Sequence, residues 1–458
     1  MHSRTRLMRA LAAAITALPG AAVFAAEPVP TVIVDIHAIG AARLTELKSR
    51  PSVRWSAEFG TELLLGVDAD SKPDWLAQPR VRDGVGTLAS AEIWIRDHVC
   101  VHQSAQPALG IVGGFEVLRM PPSAIAYSQR AGLVGTPLPA DGVMARELAN
   151  RDGPRAVMGG DPQVQAIVDK IDAERWFQTL NLLAGFNRNS YSAALGSARD
   201  WILSAFEGAQ LTTSVFPYTL VPNNCAGAPS INIDNPIGRK LGATLPDEWI
   251  VVGAHYDSRN SVRCDGVANP QPGANDNASG CAGVIELARA FVDVPTQRSV
   301  LFMCFSGEEQ GLVGSQRYVE SLTTSGDIAR VKHMINLDMI GYDPGGSLDA
   351  RVDTNAANAA LLTQYGAAAA TYAPELNLIA SSSTSANTDH WYFLAAGVPA
   401  VFTWENGASI YAHYHQSTDI PANMTRAREL GGAILKMDAA MLASVAGLAP
   451  PLFADGFE

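Results

Sequence analysis

Two patterns of hydrophobic and polar positions alternate along the chain between about residue 160 and residue 448. Short apolar runs are typical of buried strands, and they occur at Trp249–Ala254, Ser299–Phe305, His333–Leu337 and Pro399–Trp404. Longer stretches with a helical spacing of apolar residues cover Val164–Ala184, Ser197–Glu207, Ser279–Asp293, Val313–Ser321 and Ala427–Ala446. Because apolar strands that alternate with helices form sheets covered on both faces, we predict an α/β domain at 160–448 with a mainly parallel sheet.

Residues 26–155 carry shorter elements of both kinds. A predicted helix at Ala41–Lys48 is followed by four strand-like runs, at Val53–Glu58, Glu62–Val67, Ala91–Arg96 and Gly110–Leu118. This order predicts a small α+β N-terminal module. Its sequence offers no cluster of metal-ligand residue types and no paired nucleophile and base. A propeptide or inhibitory module, a binding module and a simple packing domain all fit this region.

The first 25 residues have the pattern of a secretory signal peptide. Three arginines precede a short apolar segment at 10–18, and small residues surround Ala25, the predicted cleavage position. A membrane-spanning helix needs about 20 apolar residues, so we expect cleavage rather than anchoring. The sequence therefore predicts a secreted or periplasmic protein with no membrane partner after cleavage. The C-terminal tail at 449–458 carries no predicted function.

Charge and cysteine content limit the classes of binding partner and the disulfides that we expect. The chain has 33 Lys and Arg against 45 Asp and Glu, a net charge of -12, and no basic run. An acidic chain of this kind is a poor partner for nucleic acid. Of the 5 cysteines, Cys225 and Cys264 lie in polar loops and are expected to form a disulfide. Cys281 and Cys304 lie in apolar surroundings and are expected to be buried thiols, which leaves Cys100 unpaired. Oligomeric state is left open.

Acids and imidazoles follow the ends of the predicted strands. They are His255 with Asp257, Asp276, Glu308 with Glu309, Asp338 and His415. One such residue alone is usually a cap or a turn residue, but the carboxyl ends of parallel strands meet at one edge of a sheet. Buried carboxylates gathered there would repel one another and lose hydration, and a pair of divalent metal ions offsets that cost. Imidazoles with carboxylates suit Zn²⁺, with Co²⁺ or Mn²⁺ as alternatives.

Five segments occur in an order and spacing that resemble peptidase family M28, the co-catalytic zinc exopeptidases whose best-known members are secreted bacterial aminopeptidases. The segments are HYDS, GANDNASG, SGEEQGLVGS, NLDMIGY and YHQSTD, and the resemblance covers about residues 160 to 447. Each segment alone is a weak signal, whereas the set is specific. The resemblance implies a mixed, mostly parallel sheet between helices and two zinc ions per chain.

The same resemblance assigns roles to individual residues. It implies one zinc ion on His255 and Asp338, a second on Glu309 and His415, and Asp276 as the bridge between them. Glu308 is implied as general base and later acid. Asp257 is expected to accept a hydrogen bond from the imidazole of His255.

Three further positions are implied less directly by the resemblance. Tyr414 matches a tyrosine that contacts the oxyanion in some relatives, although packing within its loop is an equal alternative. The Asp276–Asn277 bond matches the position of a cis peptide in the family. Asp389 matches a buried acid near the site.

The implied reaction is hydrolysis of the peptide bond after a free N-terminal residue, by a hydroxide that bridges the metals, with peptide or protein N-termini as substrate. A glutaminyl cyclase-like enzyme that forms N-terminal pyroglutamate is one alternative. A carboxypeptidase of the same family is another. It needs a basic pocket for the terminal carboxylate, and the sequence alone does not place Arg259, Arg263 or Arg351 in one. A non-catalytic, receptor-like relative is the third, but such proteins lose metal ligands, and every ligand position is filled here.

Overall fold

The computed structural model describes residues 27–97, 107–120, 136–148, 160–221, 225, 227–267, 270–382, 388–406 and 411–449. The predicted signal peptide, Cys100 and the predicted tail from residue 450 onwards lie outside the described residues. Among the residues described, no helix has both the length and the apolar character that crossing a membrane requires.

The regular elements follow one another along the whole described chain. The strands are β1 (Val29–Asp35), β2 (Val53–Gly60), β3 (Glu62–Val67), β4 (Val81–Leu88), β5 (Ile93–Asp97), β6 (Gly110–Val112), β7 (Phe115–Arg119), β8 (Thr136–Pro137), β9 (Val143–Glu147), β10 (Thr212–Leu220), β11 (Ile231–Lys240), β12 (Leu245–His255), β13 (Arg298–Phe305), β14 (Val331–Leu337), β15 (Leu348–Asp353), β16 (Leu376–Ser381) and β17 (Ala400–Glu405). The α-helices are α1 (Ala41–Lys48), α2 (Lys72–Leu76), α3 (Pro162–Val168), α4 (Ala173–Ala184), α5 (Leu195–Gly208), α6 (Ser279–Ala290), α7 (Val313–Ser325), α8 (Ala360–Tyr372), α9 (His390–Ala395) and α10 (Ala427–Ala446).

Most of the described strands belong to one mixed sheet, in the order β10-β11-β13-β12-β14-β17-β15-β16-β9-β2-β3-β1-β4. The neighbours β13, β12, β14 and β17 run parallel to one another, and so do β15 and β16. Strands β10 and β11 extend one side of this centre in antiparallel fashion, and β15 joins β17 antiparallel on the other. The predicted fold, a mixed, mostly parallel sheet between helices preceded by an α+β module, is confirmed.

Apolar side chains cover both faces of the parallel centre. Successive residues of a strand face opposite sides, so Ile250 and Val252 pack with helices α4, α6 and α10, whereas Val251 packs with α7 and α9. Helix α10 contributes the buried residues Leu430 and Ile434 to the first side. Fully burying one such aliphatic side chain contributes about 1.5–3 kcal/mol. The strands are therefore held firmly where their carboxyl ends carry polar groups.

Element boundaries agree best where the apolar pattern is strongest, and helices α1 and α10 span the predicted residues. The predicted helix Val164–Ala184 is instead two helices, because the side chain of Asp172 accepts hydrogen bonds from two main-chain N–H groups and starts a new helix. The predicted strand Gly110–Leu118 is a hairpin. Gly113 and Gly114 make its turn with positive φ angles, which glycine adopts without steric cost.

The N-terminal region continues the sheet of the larger region. Strand β9 pairs with β16 on one side and with β2 on the other. Arg351 of β15 lies between two rings, with its guanidinium carbon 4.0 Å from the centroid of Phe115 and 4.3 Å from that of Trp404. Main-chain pairing and a buried cation thus join the two regions, and Arg351 is part of that contact rather than of a substrate pocket. The function of residues 26–155 stays open.

Two disulfides are present among the described residues. The predicted pair Cys225–Cys264 is confirmed. The prediction of buried thiols at Cys281 and Cys304 was wrong in one respect, because these two fully buried residues are bonded to each other. Their Cα atoms lie 5.9 Å apart, within the range a disulfide requires, since the start of α6 packs over the end of β13.

Candidate metal centre

The sequence-predicted site residues converge at one edge of the sheet. Strand β12 ends at His255, Asp338 directly follows β14, and Glu308 and Glu309 follow β13 after a short turn. These three strands are adjacent and parallel, so their carboxyl ends meet. Asp276 reaches the same place from the loop before α6. This is the edge at which α/β sheets bind ligands.

Two imidazoles share a single carboxylate. His255 Nε2 lies 3.2 Å from Asp276 Oδ1, and His415 Nε2 lies 3.1 Å from Asp276 Oδ2. A further carboxylate approaches each imidazole: Asp338 Oδ1 lies 3.4 Å from His255 Nε2, and Glu309 Oε2 lies 3.4 Å from His415 Nε2. The carboxylate of Asp276 thus lies between two groups of potential metal ligands.

The potential metal ligands form two groups, and Glu308 lies in the group that contains His255. Potential ligand atoms of His255, Glu308 and Asp338 lie within 4.8 Å of one another, and so do those of Asp276, Glu309 and His415. Glu308 Oε2 is 4.0 Å from His255 Nε2, farther than the carboxylates of Asp276 and Asp338. Glu308 therefore stands beside the predicted ligands, where a general base is expected.

Burial of so many acids leaves a charge imbalance that divalent cations fit. Burial raises the pKa of Glu308 and of Glu309 well above the ordinary value, and neighbouring carboxylates raise the pKa of each further. The Oε1 atoms of Glu308 and Glu309 are buried without a hydrogen-bond partner among the described residues. Unpaired buried carboxylate oxygens are costly. Imidazole nitrogen with carboxylate oxygen is a donor set that Zn²⁺ accepts, so the residues present fit the implied metal.

The two imidazoles differ in their surroundings. Burial lowers the pKa of His255, but the carboxylates of Asp338 and Glu308 outweigh it, and the pKa lies well above its usual value. For His415, burial dominates and lowers the pKa to about 4 despite the contact with Asp276. A neutral imidazole is the form that binds a metal, and the lowered pKa of His415 favours that form.

Asp257 supports the site by a route that differs in part from the expected one. The imidazole Nδ1 of His255 lies 3.1 Å from the main-chain oxygen of Asp257 and 3.5 Å from its carboxylate. The carboxylate accepts hydrogen bonds from Ser190 Oγ at 2.9 Å and from the main-chain N–H groups of Glu308 and Glu309 at 3.2 and 3.3 Å. Asp257 thus orients the ring of His255 and also holds the turn that carries both glutamates.

Tyr414 and Asp389 lie at the site as well. The half-buried ring of Tyr414 stacks on the imidazole of His415, with centroids 3.7 Å apart. Burial raises the pKa of Asp389 to about 7, against the opposing charge of His255. The oxyanion contact of Tyr414 stays a prediction.

Sequence reasoning gave no role to Asp419, although the residue lies within the quoted YHQSTD segment. Its carboxylate accepts hydrogen bonds from the main-chain N–H groups of Asn275 and Asp276 at 2.9 and 3.0 Å, and from the Tyr411 hydroxyl at 2.8 Å. It therefore ties the loop of His415 to the loop of Asp276. Only its position four residues after His415 could have signalled this role.

Glu405 and Arg188 hold the same loops from other sides and were missed. Glu405 ends β17 and accepts a hydrogen bond from Asn275 Nδ2 at 2.8 Å. Arg188 is fully buried and donates to the main-chain oxygens of Tyr256 at 2.7 Å and Gly273 at 2.7 Å. The Asp276–Asn277 peptide within the held loop is cis, as the resemblance implied.

Comparison with known proteins agrees with this geometry. Residues 235–435 match the model of Peptidase family M28. A probable zinc metalloprotease of Pyrenophora teres f. teres is 32% identical over 195 residues, which cover 40% of this chain and 41% of the relative. The chain thus spans about four-tenths of the length of that curated relative.

Solved structures share the fold at low sequence identity. A zinc aminopeptidase from Bacillus subtilis superposes with a TM-score of 0.52 at 17% identity, over 60% of this chain and 95% of that one. The LapA aminopeptidase of Legionella pneumophila gives a TM-score of 0.52 at 18% identity, over 78% of this chain and 98% of that one. The resemblance read from the five motifs is confirmed, because residues 235–435 match the model of Peptidase family M28.

Proposed function

We propose that this protein is an exported two-zinc aminopeptidase, which removes single residues from the free N-termini of peptides. The observation that carries the proposal is the shared carboxylate of Asp276, whose two oxygens lie 3.2 and 3.1 Å from the imidazoles of His255 and His415. A carboxylate between two metal-binding imidazoles is what a pair of ions about 3.5–4 Å apart requires. The zinc aminopeptidases among the solved structures of this fold support the choice of reaction.

Five residues would hold the two ions: Asp338 with His255, Glu309 with His415, and Asp276 between them. Zinc supplies Lewis-acid chemistry when bound, which acidifies water and polarises a peptide carbonyl. The chain's own part is to keep these five side chains in place. It does so through Asp257 and through Asp419, which fixes the main chain at Asp276.

Glu308 is the group that moves the proton. Its carboxyl is buried next to the predicted ligands and is itself farther from His255 than they are. Burial raises its pKa, and a raised pKa favours taking a proton from the attacking water. The same carboxyl then gives that proton to the leaving amine, so one residue serves as base and as acid. Its main-chain N–H, held by Asp257, fixes its direction.

Export is supported by the two disulfides, because such bonds persist in oxidising compartments. It agrees with the secretory pattern of the first 25 residues. Mass spectrometry of an isolated secreted or periplasmic fraction tests it directly. A mature chain that begins at residue 26 is the expected result, and an uncleaved cytoplasmic chain would overturn this part of the proposal.

Product analysis tests the reaction. The zinc-loaded protein is incubated with a peptide that begins with Leu, its N-acetylated twin and a peptide that begins with Gln, each with and without chelator. We expect chelator-sensitive loss of one N-terminal residue from the unblocked peptides only. Residues lost from the other end would indicate a carboxypeptidase, and loss of ammonia from the Gln peptide alone would indicate a cyclase. No product in any reaction would contradict the proposal.

A further inference from the structure

A buried arginine borders the candidate metal centre and is not used by the proposed reaction. Arg259 lies in the loop after β12, four residues beyond His255. Its Nε is 3.8 Å from Glu309 Oε2, the same oxygen that lies 3.4 Å from His415 Nε2. The guanidinium therefore stands on the Glu309 and His415 side of the site.

Most of the hydrogen-bonding capacity of Arg259 is unused. The residue is only 9% exposed. Its Nε donates to the main-chain oxygen of Asn260 at 3.1 Å, while Nη1 and Nη2 make no hydrogen bond to any described residue. A guanidinium carries five N–H donors in a fixed fork. The donors on Nη1 and Nη2 are therefore open to an acceptor that a ligand supplies.

The loop around Arg259 is fixed rather than loose. The disulfide Cys225–Cys264 anchors its far end to the β10–β11 connection. The main-chain oxygen of Arg263 accepts hydrogen bonds from Asn189 Nδ2 at 2.9 Å and Gln310 Nε2 at 3.2 Å. The guanidinium is thus held in place before any ligand arrives, which lowers the entropy cost of binding.

Arg263 adds a second positive charge on this side of the site. Burial lowers the pKa of Arg263, and the nearby charge of Arg259 lowers it further. A carboxylate is the anion whose geometry matches a guanidinium fork.

We propose that Arg259 binds a carboxylate of the substrate beside the scissile bond, and so selects acidic peptides. This inference rests on the proposed function and names its substrate class. The carboxylate has two possible sources: the side chain of an N-terminal Asp or Glu, or the C-terminal carboxylate of a dipeptide. Both present the same chemistry to Arg259, and matched ligands separate them.

The test measures binding in the full-length, zinc-loaded chain carrying Glu308→Gln, so that ligands are not turned over. Two ligand pairs are titrated by calorimetry: glutamyl-alanine amide against glutaminyl-alanine amide, and leucyl-alanine against leucyl-alanine amide. In one pair we expect the acid to bind at least about tenfold more tightly than its neutral twin, as one charge-assisted hydrogen bond provides. The pair that shows the difference identifies the source.

Arg259→Gln is expected to abolish that difference and to leave the neutral ligand within about threefold of its original Kd. The matched control is Arg298→Gln, which removes an arginine at the start of β13, at the opposite end of the sheet, where it pairs with Glu248 at 2.7 Å. The control should keep the full preference. If Arg259→Gln fails to fold, Arg259→Lys replaces it: charge without the fork should reduce the preference by about threefold or more.

Equal affinities within both pairs, or a preference that survives the change at Arg259, would overturn the inference. Turnover by the protein with Glu308 intact is scored separately, on leucyl-alanine amide, which carries no carboxylate. Failure to cleave that neutral compound counts against the proposed aminopeptidase reaction. The binding result stands apart from it, so the two failures are distinguishable.

Discussion

The N-terminal region and the candidate metal centre bury acidic side chains in opposite ways. In the N-terminal region, Glu58 is 1% exposed and pairs with Lys48 Nζ at 2.8 Å, and the buried Glu147 pairs with His37 at 2.9 Å. In the larger region, Glu308 and Glu309 are just as buried, but each keeps a carboxylate oxygen without a hydrogen bond among the described residues. Buried acids with protein partners indicate a structural role, whereas buried acids that face one another indicate a cation-binding site.

The contrast occurs within a single sheet, because strand β9 of the N-terminal region pairs with β16 of the larger region. Paired strands therefore join a part held by internal ion pairs to a part that contains the candidate metal centre. Substitutions in the first should change stability alone, whereas substitutions at the candidate metal centre should change metal binding and catalysis, with the largest effect at Glu308.

Glu308→Gln should lower kcat by about 10²–10⁴-fold, the usual contribution of a general base. Metal content should stay unchanged, because Glu308 stands beside the predicted ligands. Kinetics with a Leu peptide and elemental analysis of the same sample check both points. Glu320→Gln, on the exposed face of α7 where Glu320 pairs with Arg317, is the matched control and should keep full activity. A near-normal kcat in the metal-loaded Glu308→Gln variant would contradict the role of Glu308 as general base.

Asp419→Asn should weaken zinc binding by about 10–100-fold, as loss of supporting hydrogen bonds around a metal site does. The amide retains the size of the side chain, but it accepts the N–H groups of Asn275 and Asp276 less well than a carboxylate. A competition titration with a zinc chelator measures the affinity. Unchanged zinc affinity would show that the loop of Asp276 holds its shape without Asp419.

Glu58→Gln in the N-terminal region should cost about 1–3 kcal/mol in the free energy of unfolding, because it breaks a buried charge-assisted hydrogen bond. Zinc affinity and kcat should not change. Denaturant unfolding gives the stability and the activity assay gives kcat. A fall in kcat at temperatures where the variant is still fully folded would contradict this prediction. It would show that the N-terminal region affects the candidate metal centre.

The smallest expected effect is on how stability depends on pH, and it arises from Asp438 of helix α10. It is fully buried, accepts one hydrogen bond from Thr403, and burial raises its pKa to about 8. The unfolded chain gives up this proton near pH 4, so the folded state binds more protons between pH 4 and 8, and stability falls as pH rises through that range. Asp438→Asn should flatten the fall in Tm between pH 5 and pH 8. An unchanged pH profile of Tm would contradict this assignment.

The sequence predicted the parts of the site that follow strong apolar strands. His255, Glu308, Glu309 and Asp338 each lie at or just after the end of a buried run, so strand periodicity and parallel pairing bring them together. Strands β10 and β11 were not predicted, because Pro217 and Pro236 interrupt their patterns, and proline in a run argues against a strand. The structure accommodates both in a hairpin at the edge of the sheet.

Contacts between segments that are distant in the chain also could not be predicted from the sequence. Three contacts join positions far apart in the chain. They are the pairing of β9 with β16, the disulfide between Cys281 and Cys304, and the hydrogen bond from the main-chain N–H of Asp276 to Asp419. No local pattern encodes which loop lies beside which. Family motifs supplied His415 and Asp276 as ligands, and the geometry then added the residues that hold them.

The most direct test of the central claim is the number of zinc ions bound, measured by native mass spectrometry of the full chain at saturating zinc. We expect two ions per chain, both held by a site that shares Asp276. In Asp276→Ala, both should be lost together, because the carboxylate stands between them. One ion per chain in the unchanged protein, or loss of a single ion in the variant, would contradict the account of two metal sites joined by one carboxylate.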